Sequence, residues 1–222
     1  MTFLLRPCLA FAFALVAACG QAAAGEPVDY AVDPVHTRVL FEIDHAGFSK
    51  AIGTVSGIRG ELRFDADDWS TATLDVVVPM QRLDMGDSDM LAAVFAPRFL
   101  DVRRYPQARF VSTTVIREDG NRGTVCGRLT LHGVTRPLCM ALVLNRLGRH
   151  PLPPFRRTAG FSATASLSRS EFGMTAWRSL VGDTVLLRIE AELVRRRGGP
   201  DAQAADAAPA GDDSSARDPD QE

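Results

Sequence analysis

The residues of this chain best suited to chemistry lie in one short stretch, VCGRLTLHGVTRPLC, from Val125 to Cys139. Cys126 and Cys139 bracket His132, and Arg128 and Arg136 lie on either side of it. A thiolate beside an imidazole is a nucleophile with its base, and two thiols with a histidine are ligands that zinc accepts. The same residues also suit two strands joined at a turn, so the stretch by itself leaves catalysis, metal binding and plain structure open.

Other candidates are weaker. The histidines are His36, His45, His132 and His150, and a metal site wants three or four convergent ligands. His36 and His45 are nine apart, an odd separation that sends them to opposite faces of a regular strand. His150 sits in GRHPLPPFRR, a loop rich in Pro and Arg. No GxSxG elbow is present, and Ser166, Ser168 and Ser170 alternate as the polar face of a strand does. Asp67/Asp68 and Asp87/Asp89 stand in turn and cap contexts, where Asp is expected. GTVSGIRG, residues 53–60, is not followed by a helical pattern, so it reads as strand bends and turns rather than a phosphate loop. No metal site, cofactor or catalytic residue is expected.

The elements that must position these residues are strands. TRVLFEIDH (37–45), GELRFD (60–65), TLDVVVPM (73–80), ARFVSTTVI (108–116), GFSATASLS (160–168) and TVLLRIEAEL (184–193) alternate or are rich in β-branched residues. With the two arms around His132 this makes about eight antiparallel strands, which suits a closed barrel or a sandwich. Small inward residues such as Ala163 and Ala165 favour a cavity over a filled interior. One segment departs from the pattern. GDSDMLAAVFAP (86–97) offers Asp87 or Ser88 as a cap and sets Met90, Leu91, Val94 and Phe95 on one helical face until Pro97 stops it. A short helix near Ser88–Phe95 is therefore expected.

Both ends read differently from the body. Residues 1–24 carry Arg6, the apolar run LAFAFALVAA and then small residues, the pattern of a secretory signal peptide. The run is shorter than the roughly 20 apolar residues of a bilayer span. Cleavage after Ala24 releases a soluble protein, whereas the box VAAC instead places a lipid on Cys19. Residues 198–222 hold seven acids against Arg217 and no large apolar side chain, which predicts a disordered acidic tail. Residues 25–197 then form one domain with a mild formal charge of +3. Without a basic stripe and interleaved aromatics, nucleic-acid binding is not expected. The predicted location is the periplasm, or its membrane face if Cys19 is lipidated.

An oxidising compartment makes paired cysteines tend to form disulfides. With the turn centred on His132-Gly133, residue i faces residue 265 − i, so Cys126 meets Cys139 and Val125 meets Met140 on the other face. Directly opposed residues are within disulfide reach. A bridge and two free thiols both remain open, since a shifted turn moves the pair apart.

Read together, five segments resemble the YceI-like family of bacterial periplasmic polyisoprenoid-binding proteins. They are DPVHTRVLFEIDHAGFSKAIGTVSGIRGELRFD (33–65), RFLDVRRYPQARFVS (98–112), GRLTLHGVTRPL (127–138), LSRSEFGM (167–174) and VGDTVLLRIEAEL (181–193). The resemblance implies an extended, lipocalin-like antiparallel barrel whose channel holds a polyprenyl chain, a quinone-like isoprenoid or a fatty amide. It implies a binder or carrier and not a catalyst. This chain departs from the family where Met90 and Leu91 follow Asp89 in the helix, and where Val55 replaces a common Phe.

On that resemblance, the alternating inward positions become the expected ligand lining. They are Val39, Phe41, Ile43, Val76, Phe110, Phe161, Ala163, Leu187 and Ile189, with Leu91 and Phe95 at the helix-covered end. His45 is in phase with Phe41 and faces either a polar head or a structural partner. The membrane enters only as a lipid source or through the lipidated Cys19, and a homodimer is an allowed assembly. The competing readings are a thiol-redox or metal-dependent protein using Cys126, Cys139 and His132, and a ligand-free structural module of the envelope.

Overall fold

Alternation of apolar and polar side chains lets a strand bury one face and solvate the other, and most of this chain takes that form. A computed structural model describes residues 26–196. The export segment, Cys19 and the tail of residues 198–222 lie outside the described residues. The strands are β1 (Val28–Val32), β2 (Arg38–His45), β3 (Ser49–Val55), β4 (Arg59–Phe64), β5 (Thr73–Pro79) and β6 (Leu83–Asp84). After the helix α1 (Ser88–Phe95) come β7 (Gln107–Asp119), β8 (Arg122–Leu131), β9 (Val134–Arg149), β10 (Arg157–Ser168) and β11 (Val181–Arg195).

Eight of these strands close into an antiparallel ring in the order β1-β4-β5-β7-β8-β9-β10-β11, and β1 returns to β11. The expected barrel is therefore present, but its membership differs from the eight segments picked out by alternation. The ring uses β1, while β2 stands outside the closing pair. Both β1 and β2 run along the same edge of β11. Tyr30–Val32 pair with Arg195–Leu193 near its end, and Arg38–Ile43 pair with Glu190–Val185 further up. Between them Thr37 mends the ladder: its buried Oγ donates to the Glu192 carbonyl and accepts from the Glu192 N–H. Beyond the ring, β3 and the two-residue β6 extend the wall from β2.

The glycine-rich segment that read as bends and turns is only partly so. Gly53–Val55 end β3, Gly57 makes the turn at φ +70°, and residues 59–60 already belong to β4. Alternation missed β3 because Ser49, Lys50 and Gly53 leave few apolar residues to mark a face.

One end of the barrel is packed shut. Tyr30, Leu62, Phe64, Trp69, Val115, Val125, Ala159 and Leu193 are all buried there. Phe64 meets Trp69 and Phe161 edge-on, each at 5.7 Å between ring centroids, the geometry that aromatic quadrupoles prefer. The helix covers part of the other end. Asp87 caps it by accepting from the Met90 N–H at 2.8 Å, which satisfies one of its free donors.

Candidate functional site

The inner faces of the strands enclose a cavity of about 420 Å³. Register decides what lines it. Along the β2–β11 seam, Val39 lies opposite Ile189, Phe41 opposite Leu187, Ile43 opposite Val185 and His45 opposite Val181. On the next seam Ala163 faces Ile189, and across the barrel Val76 faces Phe110. Opposed residues of an antiparallel pair point to the same side, so each seam delivers its apolar side chains to the cavity together. Val39, Phe41, Ile43, His45, Val76, Phe110, Phe161, Ala163, Leu187 and Ile189 all reach its wall.

The helix faces the cavity differently from its expected placement. Leu91 and Phe95 pack against the core without lining the cavity, while Met90, Ala93 and Val94 line it. All four apolar residues lie within one broad stripe, and the stripe fixes the helix rotation only to within about one residue. Trp177 also lines the cavity and was not anticipated, because it lies in a loop where periodicity carries no information.

Two glycines keep the wall thin. A Cβ at Gly53 would meet the Phe41 ring at 2.4 Å, and one at Gly127 would meet the Val111 carbonyl oxygen at 2.3 Å and the Phe110 ring at 2.5 Å. Phe41 and Phe110 thus lie close over the sheet, where the missing side chains make room for them.

Polar groups are few along this wall. Thr37 is engaged with the backbone of Glu192, as described above. Arg169 follows β10 directly and is almost completely buried, and sequence reasoning missed it. Its Nε donates to the Gly182 carbonyl at 2.7 Å, Nη1 to Met174 at 2.6 Å and Nη2 to Val181 at 2.8 Å. Burial pulls its pKa below the ordinary guanidinium value, against the pull of the Asp183 carboxylate. The guanidinium therefore ties down the loop between β10 and β11 instead of facing a ligand. Asp44 and His45 complete the polar lining where β2 ends.

That end is the mouth. Of the lining residues, His45, Met90 and Trp177 are exposed, and all three sit there. Phe99 packs edge-on against Trp177 at 5.6 Å, and the Arg98 guanidinium lies 5.1 Å from the Trp177 ring.

The stretch around His132 is a hairpin with the register expected. Leu131 faces Val134, Cys126 faces Cys139 and Val125 faces Met140. His132 and Gly133 have φ of +51° and +74°, as a type I′ turn requires. A disulfide joins Cys126 to Cys139, whose Cα atoms are 4.0 Å apart. Val125 points into the cavity, so the bridge lies on the outer face. His132 shares a hydrogen bond between Nδ1 and the Phe172 carbonyl at 2.9 Å, and its ring meets Tyr105.

The histidines do not converge. His150 holds an exposed loop by accepting from the Leu152 N–H. His36 bonds Asp33 at 2.8 Å, and this bond raises the imidazole pKa above 6.5. Asp33, His36 and Glu192 bring one ligand atom each within 4.8 Å, the one such group among the described residues. On the outer wall, Ser168 and Ser170 donate to Asp183, which lowers that carboxyl's pKa. No imidazole joins them, so a serine nucleophile would lack a base there.

A model of the YceI-like domain matches residues 30–193. A UPF0312 protein of Pseudomonas syringae pv. syringae is 36% identical over 168 residues, covering 75% of this chain and 84% of that protein. A UPF0312 protein of Pseudomonas putida strain W619 is 33% identical over 191 residues, covering 85% and 96%. Among solved structures, Burkholderia cenocepacia BcnA aligns at a TM-score of 0.65 with 22% identity, covering 72% of this chain and 98% of that one. A polyisoprenoid-binding domain from Saccharophagus degradans aligns at 0.58 with 12% identity, covering 76% and 99%.

Proposed function

The chain belongs to the YceI-like family, and from that premise we propose that it binds a long-chain lipid of isoprenoid type in its barrel and carries or sequesters it. The observation that carries this reading is the cavity: about 420 Å³ walled by hydrocarbon, with the buried polar groups Thr37 and Arg169 already bonded to backbone. Such a wall gives a polar ligand nothing to replace its lost water, whereas each buried methylene contributes about 0.8 kcal/mol. A solved relative described as a polyisoprenoid-binding domain supports the same class of ligand.

The apolar wall distinguishes tails by length and girth. Selectivity for a headgroup then falls to the polar side chains at the mouth, Asp44 and His45. No cofactor is needed, and the lipid itself is the ligand. A role in binding rather than catalysis is supported by the disulfide lying outside the channel and by His132 being held in its turn. The leader pattern of residues 1–24 supports a place in the periplasm.

Native mass spectrometry of the protein purified from its own host tests the reading. A released lipid of several hundred daltons, on the order expected for a pocket of this size, is the expected outcome. A protein that arrives empty and takes up no long-chain lipid in solution would overturn it.

A further inference from the structure

Apolar side chains are exposed around the mouth as well as within it. Phe48, at the tip of the β2–β3 hairpin, is 93% exposed, and Trp177 and Leu180 are each half exposed. They adjoin one another: the Ala46 N–H donates to the Leu180 carbonyl at 2.6 Å, and the Leu180 N–H donates to the Trp177 carbonyl at 2.9 Å. Met90 on the helix is 41% exposed and also lines the cavity. Contiguous exposed apolar surface marks an interaction site, and this surface runs into the apolar wall of the cavity without a polar break at Trp177 and Met90.

We propose that this rim docks onto the surface of a lipid bilayer, so that the channel opens directly into the acyl region. The proposal rests on the lipid-binding reading above. Three observations favour a bilayer over a protein partner. The exposed residues border the opening of the channel, and a second copy seated there would seal it, whereas a bilayer continues it. The residue types suit an interface, since Trp and Phe enter the headgroup boundary and Arg98 over the Trp177 ring keeps its charge in the polar layer. Charges of both signs lie beside the exposed tips, with Lys50, Arg98 and Arg178 against Asp44, Asp87, Asp89 and Asp183. Docking is therefore driven by apolar insertion, does not require anionic lipid and survives salt.

The chain's two tryptophans make the test direct, because Trp69 is buried at the closed end and Trp177 stands on the rim. Full-length mature protein is mixed with phosphatidylcholine vesicles brominated on the acyl chain. The expected result is a blue shift and quenching of tryptophan emission, both absent in Trp177→Phe. Phe48→Ser and Leu180→Ser are expected to weaken vesicle binding on the order of tenfold each. Both variants keep the wild-type thermal unfolding and the uptake of a fluorescent fatty acid in vesicle-free solution.

Absent quenching with uptake intact overturns the docking surface and leaves the channel reading standing. Quenching that needs anionic lipid and vanishes in salt overturns it too, as attachment then runs through basic residues elsewhere, such as Arg149, Arg156 and Arg157. A dimer in sedimentation that Phe48→Ser dissociates overturns it in favour of a second copy. Failure of uptake overturns the channel reading, and the docking inference with it.

Discussion

Arg169 spans the loop that joins β10 to β11 with three hydrogen bonds to the carbonyls of Met174, Val181 and Gly182. A planar guanidinium presents its donors in a fixed fork, which a lysine ammonium on a flexible stem does not reproduce. Removing the fork orphans buried carbonyls, and bonds to charged donors contribute about 1.5–3 kcal/mol each. Arg169→Lys is therefore expected to lower unfolding free energy by about 2–4 kcal/mol, read from denaturant midpoints at unchanged slope. A loss within about 0.5 kcal/mol, the scale of an ordinary surface substitution, would show that the loop holds without it. The segment LSRSEFGM was legible, but nothing in it singled out Arg169, because its partners are carbonyls and any residue type supplies a carbonyl.

The β8–β9 hairpin is an element whose details were legible. A two-residue turn with a glycine in second place sets the register, and the register sets Cys126 against Cys139. The bridge spans 13 residues, and loops of about this length restrict the unfolded chain by roughly 3 kcal/mol in the chain-entropy picture. Cys126→Ser with Cys139→Ser should thus unfold about 2–3 kcal/mol more easily. The bridge lies on the outer face, so lipid uptake by the folded variant should equal wild type. Impaired uptake at full folding would return the cysteines to a functional role. The helix was less legible as an element. Its cap and its stop are local, but Met90, Leu91, Val94 and Phe95 form one broad apolar stripe whose two edges, Met90 with Val94 and Leu91 with Phe95, are equally apolar. Only the shape of the surface beneath chose between them.

At the scale of the whole molecule, the graded packing defines the channel, with buried aromatics at one end and half-buried aliphatics towards the other. Ala163 sits midway on the β10 wall, opposite Ile189 and facing open volume. A phenyl ring there enters the cavity without crowding a packed neighbour, so Ala163→Phe should fold normally. Displacing even two methylenes of a bound tail at about 0.8 kcal/mol each lowers affinity roughly tenfold. Titration with lipids of increasing chain length measures this, and the loss should grow with length. Equal affinity across the series would place the tail elsewhere.

What the sequence determined by itself is whatever depends on neighbours a few residues apart. Period-two alternation set five strands and β-branched content a sixth, where a bulge then changes the buried phase between Phe110 and Val115. The His132-Gly133 turn set one register, and Asp87 with Pro97 bounded the helix. Tertiary structure alone decided the closure. Tyr30 and Arg195 pair across 165 positions of sequence, and β1 enters the ring while the better-patterned β2 is left outside it. It also decided which end is open, how the helix is turned and where Arg169 is bound. The physical reason is one of range. Backbone geometry and side-chain phase are written locally, but closure follows from burying the faces of remote segments against each other, at a loop-closing cost that grows slowly with separation.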